Sequence, residues 1–162
     1  METFNCHFKI ISIGRKHSKD CFELDELALN GLWTQSQWET ELSNSHKLCF
    51  GIFVNSKLVA FATGWLVIDE LQINAVAVHP ERRRSGLGTK VLSKLLESAG
   101  IKGALKTTLE VKTTNIPAKE LYRKIGFEII GQRENYYKDG GNATIFSMTL
   151  PPGEPNRESL DK

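Results

Sequence analysis

Apolar positions along this 162-residue chain change period several times, and each change marks an element. Residues 7–13 read as a first strand. Ser18 is placed to cap a helix in which Cys21, Phe22, Leu24 and Leu27 point inward, and Asn30-Gly31 ends it. Thr34 and Gln37 have capping-box spacing ahead of a short second helix. Trp33 and Trp38 flank that cap at the spacing of a hydrophobic staple and read as core tryptophans. Residues 48–54 and 58–68 read as strands around a turn at Asn55-Ser56. Asp69-Glu70 makes the next turn, before a strand over residues 71–78. After a glycine-containing loop, Leu87, Val91, Leu92, Leu95, Leu96 and Ala99 form one helical stripe, and Gly100 and Gly103 bracket the turn that follows.

Residues 105–113 alternate cleanly. Leu105, Thr107, Leu109 and Val111 face one way; Lys106, Thr108, Glu110 and Lys112 face the other. Asn115 caps a helix with Pro117 in its first turn and Ala118, Leu121, Tyr122 and Ile125 on one stripe, closed by Gly126. Residues 127–131 and 143–150 are the last strands, joined through Asp139-Gly140-Gly141-Asn142. The order is β-α-α-β-β-β-α-β-α-β-β. A helical crossover makes its flanking strands parallel, whereas the meander and final hairpin are antiparallel. The class is therefore α/β (α+β): a mixed, mostly antiparallel sheet of six to seven strands with helices on both faces.

Composition narrows the function. Residues 1–150 read as one domain with enough chain for a core, and the tail from Pro151, which lacks an apolar pattern, reads as disordered. A net charge of +2 gives no field that would announce nucleic acid. No apolar run approaches the roughly 20 residues of a membrane helix. The N-terminus lacks the build of a signal peptide, which points to the cytoplasm. Cys6, Cys21 and Cys49 are odd in number and far apart, fitting reduced thiols. His7, His17, His46 and His79 have no ligand spacing, so no metal is expected.

The chemistry concentrates at residues 76–89, Val-Ala-Val-His-Pro-Glu-Arg-Arg-Arg-Ser-Gly-Leu-Gly-Thr. A strand, a glycine loop and a helix N-terminus present unpaired N–H groups and the positive end of the helix dipole, which suits an anion. Gly86 and Gly88 would let a ligand approach the backbone. The dinucleotide fingerprint fails because Val91 occupies its third glycine position. The nucleoside-triphosphate loop fails because Gly88-Thr89-Lys90 has the wrong order. A plain β-to-α turn remains the bland reading at this level.

Arg83, Gly86 and Gly88 match Arg/Gln-x-x-Gly-x-Gly/Ala, and here the loop resembles the acetyl-CoA loop of the GNAT superfamily of N-acetyltransferases. Farther on come Leu109-Glu110-Val111, Asn115, the run Leu121-Tyr122-Arg123-Lys124-Ile125-Gly126-Phe127, and Asn135-Tyr136-Tyr137. Together they resemble the ribosomal-protein-alanine acetyltransferase (RimI-type) branch, over roughly Trp33 to Leu150. Two positions depart from that branch: Ala75 stands where it has Asn, with Asn74 one residue earlier, and His79 replaces an acidic residue before Pro80.

The resemblance implies a GNAT fold, with acetyl-CoA in the splay between the strand ending near Val78 and the strand carrying Glu110. It implies that the backbone of Val76, Ala77 and Val78 pairs with pantetheine like an added strand. Arg83 would lie near the ligand. Arg84, Ser85, Gly86, Leu87, Gly88 and Thr89 would hold the pyrophosphate, and Asn115 the pantetheine or phosphate end. Glu110 becomes the general base and Tyr122 the acid for the departing thiolate. Trp33, Asn135, Tyr136 and Tyr137 border the acceptor. Read from the residues alone, Asn115 is also an N-cap and Tyr122 also a core aromatic. The implied acceptor is a protein N-terminus, foremost the N-terminal alanine of a small-subunit ribosomal protein. A small-molecule amine, a lysine side chain, or a non-catalytic CoA-binding module are the alternatives. A protein α-amine titrates near about 8 and lysine near about 10.4, so one carboxylate suffices to deprotonate the former.

Overall fold

The computed structural model describes residues 8–153; His7, Cys6 and residues 154–162, which carry part of the expected first strand and most of the expected tail, lie outside the described residues. The elements are β1 (Phe8–Ser12), α1 (Ser18–Leu29), α2 (Gln35–Leu42), β2 (Lys47–Val54), β3 (Lys57–Val67) and β4 (Glu70–Val78). They continue as α3 (Leu87–Ile101), β5 (Lys106–Lys112), α4 (Ile116–Ile125), β6 (Glu128–Arg133) and β7 (Ala143–Thr149). This is the order that the pattern predicts.

The seven strands form one sheet in the order β1-β2-β3-β4-β5-β7-β6. Every neighbouring pair is antiparallel except β4–β5, which the α3 crossover makes parallel. That parallel ladder is short. Glu70 pairs with Lys106, Leu71 with Thr107 and Gln72 with Thr108, and then pairing stops although both strands continue. The cause lies on β4. Against β3, Thr63 pairs with Ala75 and Gly64 with Ile73, so Asn74 is an extra, bulged residue. A bulge bends its strand and ends regular pairing.

Each sheet face has its own core. On one face the α3 stripe Val91, Leu92, Leu95, Leu96 and Ala99 packs with Leu71, Ile73, Leu109, Val111, Tyr122 and Phe146. On the other face α1 and α2 bring Cys21, Leu24 and Trp38 onto Cys49, Phe61 and Ala77. No residue of β5, β6 or β7 belongs to this second cluster, and Glu110 and Arg133 on that side are exposed. The uncovered part of the face therefore begins where β4 and β5 separate. Cys21 and Cys49 are buried and unbridged. The hydrogen bond to Cys49 and burial push the Cys21 thiol up, which keeps it protonated.

Asp25 joins α1 to α2. It is fully buried. Its carboxylate accepts from Leu32 N–H at 2.7 Å, Trp33 N–H at 3.0 Å and Trp38 Nε1 at 2.9 Å. Beside it the capping box forms both ways: Gln37 N–H donates to Thr34 Oγ1 at 3.2 Å and Thr34 N–H to Gln37 Oε1 at 2.9 Å. The Trp33 and Trp38 rings meet edge to face at 4.7 Å, as the staple requires.

Several local expectations are corrected. Ser18 is not a cap but the first helical residue, because a 3-10 turn over Arg15–His17 leads directly into α1. Leu27 is 57% exposed, since Asp25 and Leu24 occupy the inward stripe. The β3–β4 turn is Ile68-Asp69, with Ile68 left-handed at φ 57° and Glu70 already in β4. Leu105 precedes β5 and is 54% exposed. Gly100 lies inside α3, and the backbones of Pro151 and Gly153 run against Gly100 and Ile101.

Replacing Asp25 by Ala strands three donors. Urea unfolding is expected to show a loss of about 3 kcal/mol, of order 1 for each donor; an unchanged midpoint would remove Asp25 as the link between the helices.

Candidate active site

The loop between β4 and α3 begins with His79, whose Nδ1 accepts from Glu81 N–H at 3.2 Å and caps the short turn Pro80–Arg82. Ser85 Oγ donates to the Arg82 carbonyl. Arg84 and Gly86 both take left-handed conformations, at φ 60° and 80°. Gly86 is the N-cap of α3, and nothing lies within 4 Å of where its Cβ would be. Within the protein itself, the left-handed backbone is what calls for glycine there. The first intrahelical bond runs from Lys90 N–H to the Gly86 carbonyl at 3.1 Å. The preceding N–H groups, through Thr89, therefore lack intrahelical partners and face outward. Gly88 differs from expectation. A Cβ there would touch Leu121 and Val78 at 3.4 and 3.5 Å, ordinary contacts inside the protein, because the first turn of α3 directs that position inward.

Arg83 and Arg84 are exposed and Arg82 half-buried. Arg83 Nη2 donates to the Ala28 carbonyl at 3.3 Å, near the C-terminal end of α1. The loop is thus tied to the opposite sheet face, and positive charge meets the negative end of a helix.

Val76, Ala77 and Val78 pair with β3 through Ala62, Phe61 and Ala60. On the other side they have no strand, because the β5 ladder ended at Gln72. An unpaired row of backbone donors and acceptors faces the gap. Across it, Glu110 stands on the polar face of β5, as its alternation predicts. Arg133 of β6 reaches over β7 to bring Nε within 3.4 Å of Glu110 Oε1. Its guanidinium also lies 5.8 Å from the centre of the Tyr136 ring.

Asn115 caps α4, with Oδ1 accepting from Ala118 N–H at 3.2 Å. Two turns on, Tyr122 is 7% exposed and sits between Phe127 and Phe146, each ring centre 5.8 Å away. Burial, with a smaller effect from Tyr137, pushes the Tyr122 phenol up to about 12. Such a phenol keeps its proton at neutral pH and can only donate it. Burial also raises the half-buried Tyr137 phenol, helped by Tyr136 and Glu110. The β6–β7 loop therefore brings Tyr137 into electrostatic reach of both Glu110 and Tyr122. Asn135, left-handed at φ 52°, is held by its N–H to Asn142 Oδ1 at 3.0 Å.

Trp33 packs on the α1–α2 side of the sheet, beside a cluster with no signal in sequence spacing. Lys47 Nζ lies 4.6 Å from the Trp33 ring centre and 5.6 Å from that of Trp65. It pairs with Glu41 Oε2 at 2.9 Å and donates to Asn74 Oδ1 at 2.7 Å. Burial pulls the Lys47 ammonium down while Glu41 opposes the shift. Among the described residues no group of three or more His, Cys, Asp or Glu could hold a metal, and no helix is long and apolar enough to cross a membrane.

The model of the acetyltransferase (GNAT) family matches residues 15–127. A Bacillus subtilis (strain 168) protein, provisionally named a [ribosomal protein bS18]-alanine N-acetyltransferase, is 32% identical over 131 residues, covering 80% of this chain and 87% of that one. The Escherichia coli (strain K12) [ribosomal protein bS18]-alanine N-acetyltransferase is 33% identical over 121 residues, covering 74% and 80%. The crystal structure of the ribosomal-protein-S18-alanine N-acetyltransferase from Escherichia coli superposes with a TM-score of 0.83 at 27% identity, covering 93% of this chain and 98% of that one.

The raised Tyr122 pKa is open to spectrophotometric titration. A phenol held above its unfolded value stabilises the fold below about pH 10, and that contribution fades as pH rises through the folded value. Subtracting the Tyr122→Phe phenolate titration from that of the wild type is expected to leave a transition near pH 12. A transition at the ordinary value of about 10 would contradict the buried placement.

Proposed function

The chain belongs to the GNAT family of acetyltransferases, and from that premise we propose that it acetylates a protein N-terminal α-amine, foremost the N-terminal alanine of a small-subunit ribosomal protein. The family's donor is acetyl-CoA. The observation that carries the acceptor is the likeness to relatives named for ribosomal-protein-alanine acetylation, over most of both chains.

The parted strands fit the donor. The free β4 edge at Val76, Ala77 and Val78 suits the two amides of pantetheine, which would complete the missing ladder. The N–H groups at the start of α3, with Arg84 and Ser85 beside them, suit the pyrophosphate. The Asn115 carboxamide keeps its nitrogen free while its oxygen caps α4. A β4 N–H aimed at the thioester oxygen would stabilise the charge that builds there.

Glu110 takes the proton from the acceptor ammonium, directly or through one water. The neutral nitrogen attacks the thioester carbonyl carbon, a C–N bond forms and the C–S bond breaks. The second proton that the nitrogen sheds on becoming an amide passes to solvent. The thiolate receives a proton from Tyr122, which is later reprotonated from solvent. Arg133 holds Glu110 aimed, and Tyr136 and Tyr137 wall the acceptor side.

Glu110→Gln is expected to lower kcat about a hundredfold or more with acetyl-CoA affinity nearly unchanged, measured by steady-state kinetics and calorimetry. Equal turnover would remove Glu110 as the base. Gly86→Val, which forces a β-branched residue into a left-handed conformation, is expected to raise the acetyl-CoA Kd about tenfold. A panel of N-terminal peptides, lysine peptides and polyamines tests the acceptor: transfer to polyamines with none to peptides sinks the N-terminal reading.

A further inference from the structure

The β4–β5 register carries one step beyond the last paired residues. Gln72 lies opposite Thr108. Extended two residues past the last pair, at the same side-chain parity, that register sets Asn74 opposite Glu110 across the gap. Leu71, Ile73, Thr107 and Leu109 are turned to the α3 face, so Asn74 and Glu110 share the other, uncovered face.

Asn74 is held in a way that fixes which end of its amide is free. An ammonium has donors and no acceptor, so the carboxamide must turn its oxygen to Lys47, at 2.7 Å. Its nitrogen then points away from Lys47, and among the described residues it makes no hydrogen bond. Asn74 itself is exposed. Lys47 cannot serve the substrate directly: its side chain is 2% exposed, locked by Glu41, whose Oε2 also accepts from Trp65 Nε1 at 2.8 Å. A buried charge with this many fixed contacts holds its partner in one orientation. An unsatisfied amide donor thus lies at the level of the proposed base.

We propose that Asn74, oriented by Lys47, is a positioning residue that donates from Nδ2 to the carbonyl oxygen next to the acceptor's reacting amine. The site thereby favours α-amino acyl acceptors over amines with no neighbouring carbonyl. A peptide N-terminus presents that oxygen beside its amine; a lysine side chain or polyamine presents only methylenes there. The inference rests on Glu110 as base and a peptide as acceptor.

The test compares an alanine-initiated peptide with an analogue whose first peptide bond is an alkene isostere. The intrinsic reactivity of the two amines cancels when their kcat/KM ratio is compared between enzymes. Asn74→Ala is expected to lower the ratio of peptide to isostere about tenfold, mainly through the peptide KM. Asn74→Asp, which keeps the shape and removes the donor, should do the same. Lys47→Met should move the ratio in the same direction, and because a ratio is read, partial loss of folded enzyme does not imitate the effect. A ratio within about twofold of wild type in Asn74→Ala overturns the inference while leaving the acceptor reading intact. Absence of wild-type transfer to the peptide overturns the acceptor reading, and this inference with it.

Discussion

The parallel ladder between β4 and β5 ends after Gln72 and Thr108, and the rest of the site depends on that ending. Backbone N–H and C=O groups in a sheet interior are almost always paired. Here a bulge at Asn74 swings β4 aside, and the groups up to Val78 are left for something other than protein. The same divergence lets α3 start at the mouth of the gap with its own N–H groups unpaired. It also exposes the polar face of β5, which a continuous sheet under α1 and α2 would cover. One extra residue on one strand thus supplies an edge, a helix N-terminus at its mouth and access to a carboxylate.

The two proposed proton carriers show how environment divides roles between side chains close in sequence. Glu110 stays at the surface, steadied by Arg133. Tyr122 lies among aromatics that disfavour its phenolate. Alternation on β5 puts the first toward water, and the apolar stripe of α4 puts the second inside. The core reading and the acid reading of Tyr122 are therefore compatible: burial is what keeps its proton available.

What was legible in the sequence was mostly local. The α3 stripe, the capping box at Thr34 and Gln37, the alternation of β5 and the cap at Asn115 are set by residues three or four apart, or by strict period two. The order of elements and the parallel pair follow from them. Interactions between segments distant in sequence were not legible. Asp25 reads as a solvent-facing helix residue until Trp38, in the next helix, arrives to need its carboxylate. Arg133 has no spacing that announces Glu110, because β7 intervenes. Lys47 reads as a strand-end charge, and only the fold encloses it between Trp33 and Trp65. The β3–β4 turn falls one residue earlier than the pattern predicts because Ile68 adopts a conformation that β-branched residues avoid.

An open strand edge is ordinarily a hazard, since it invites other chains to add to the sheet and aggregate. In this molecule, besides the rim edges at β1 and β6, one open edge is recessed within the sheet between strands that are still joined below. A foreign sheet has no approach to such a notch; a slender, single extended chain does. The geometry thus filters by width, and the protein carries unpaired backbone in its middle without offering it to its neighbours.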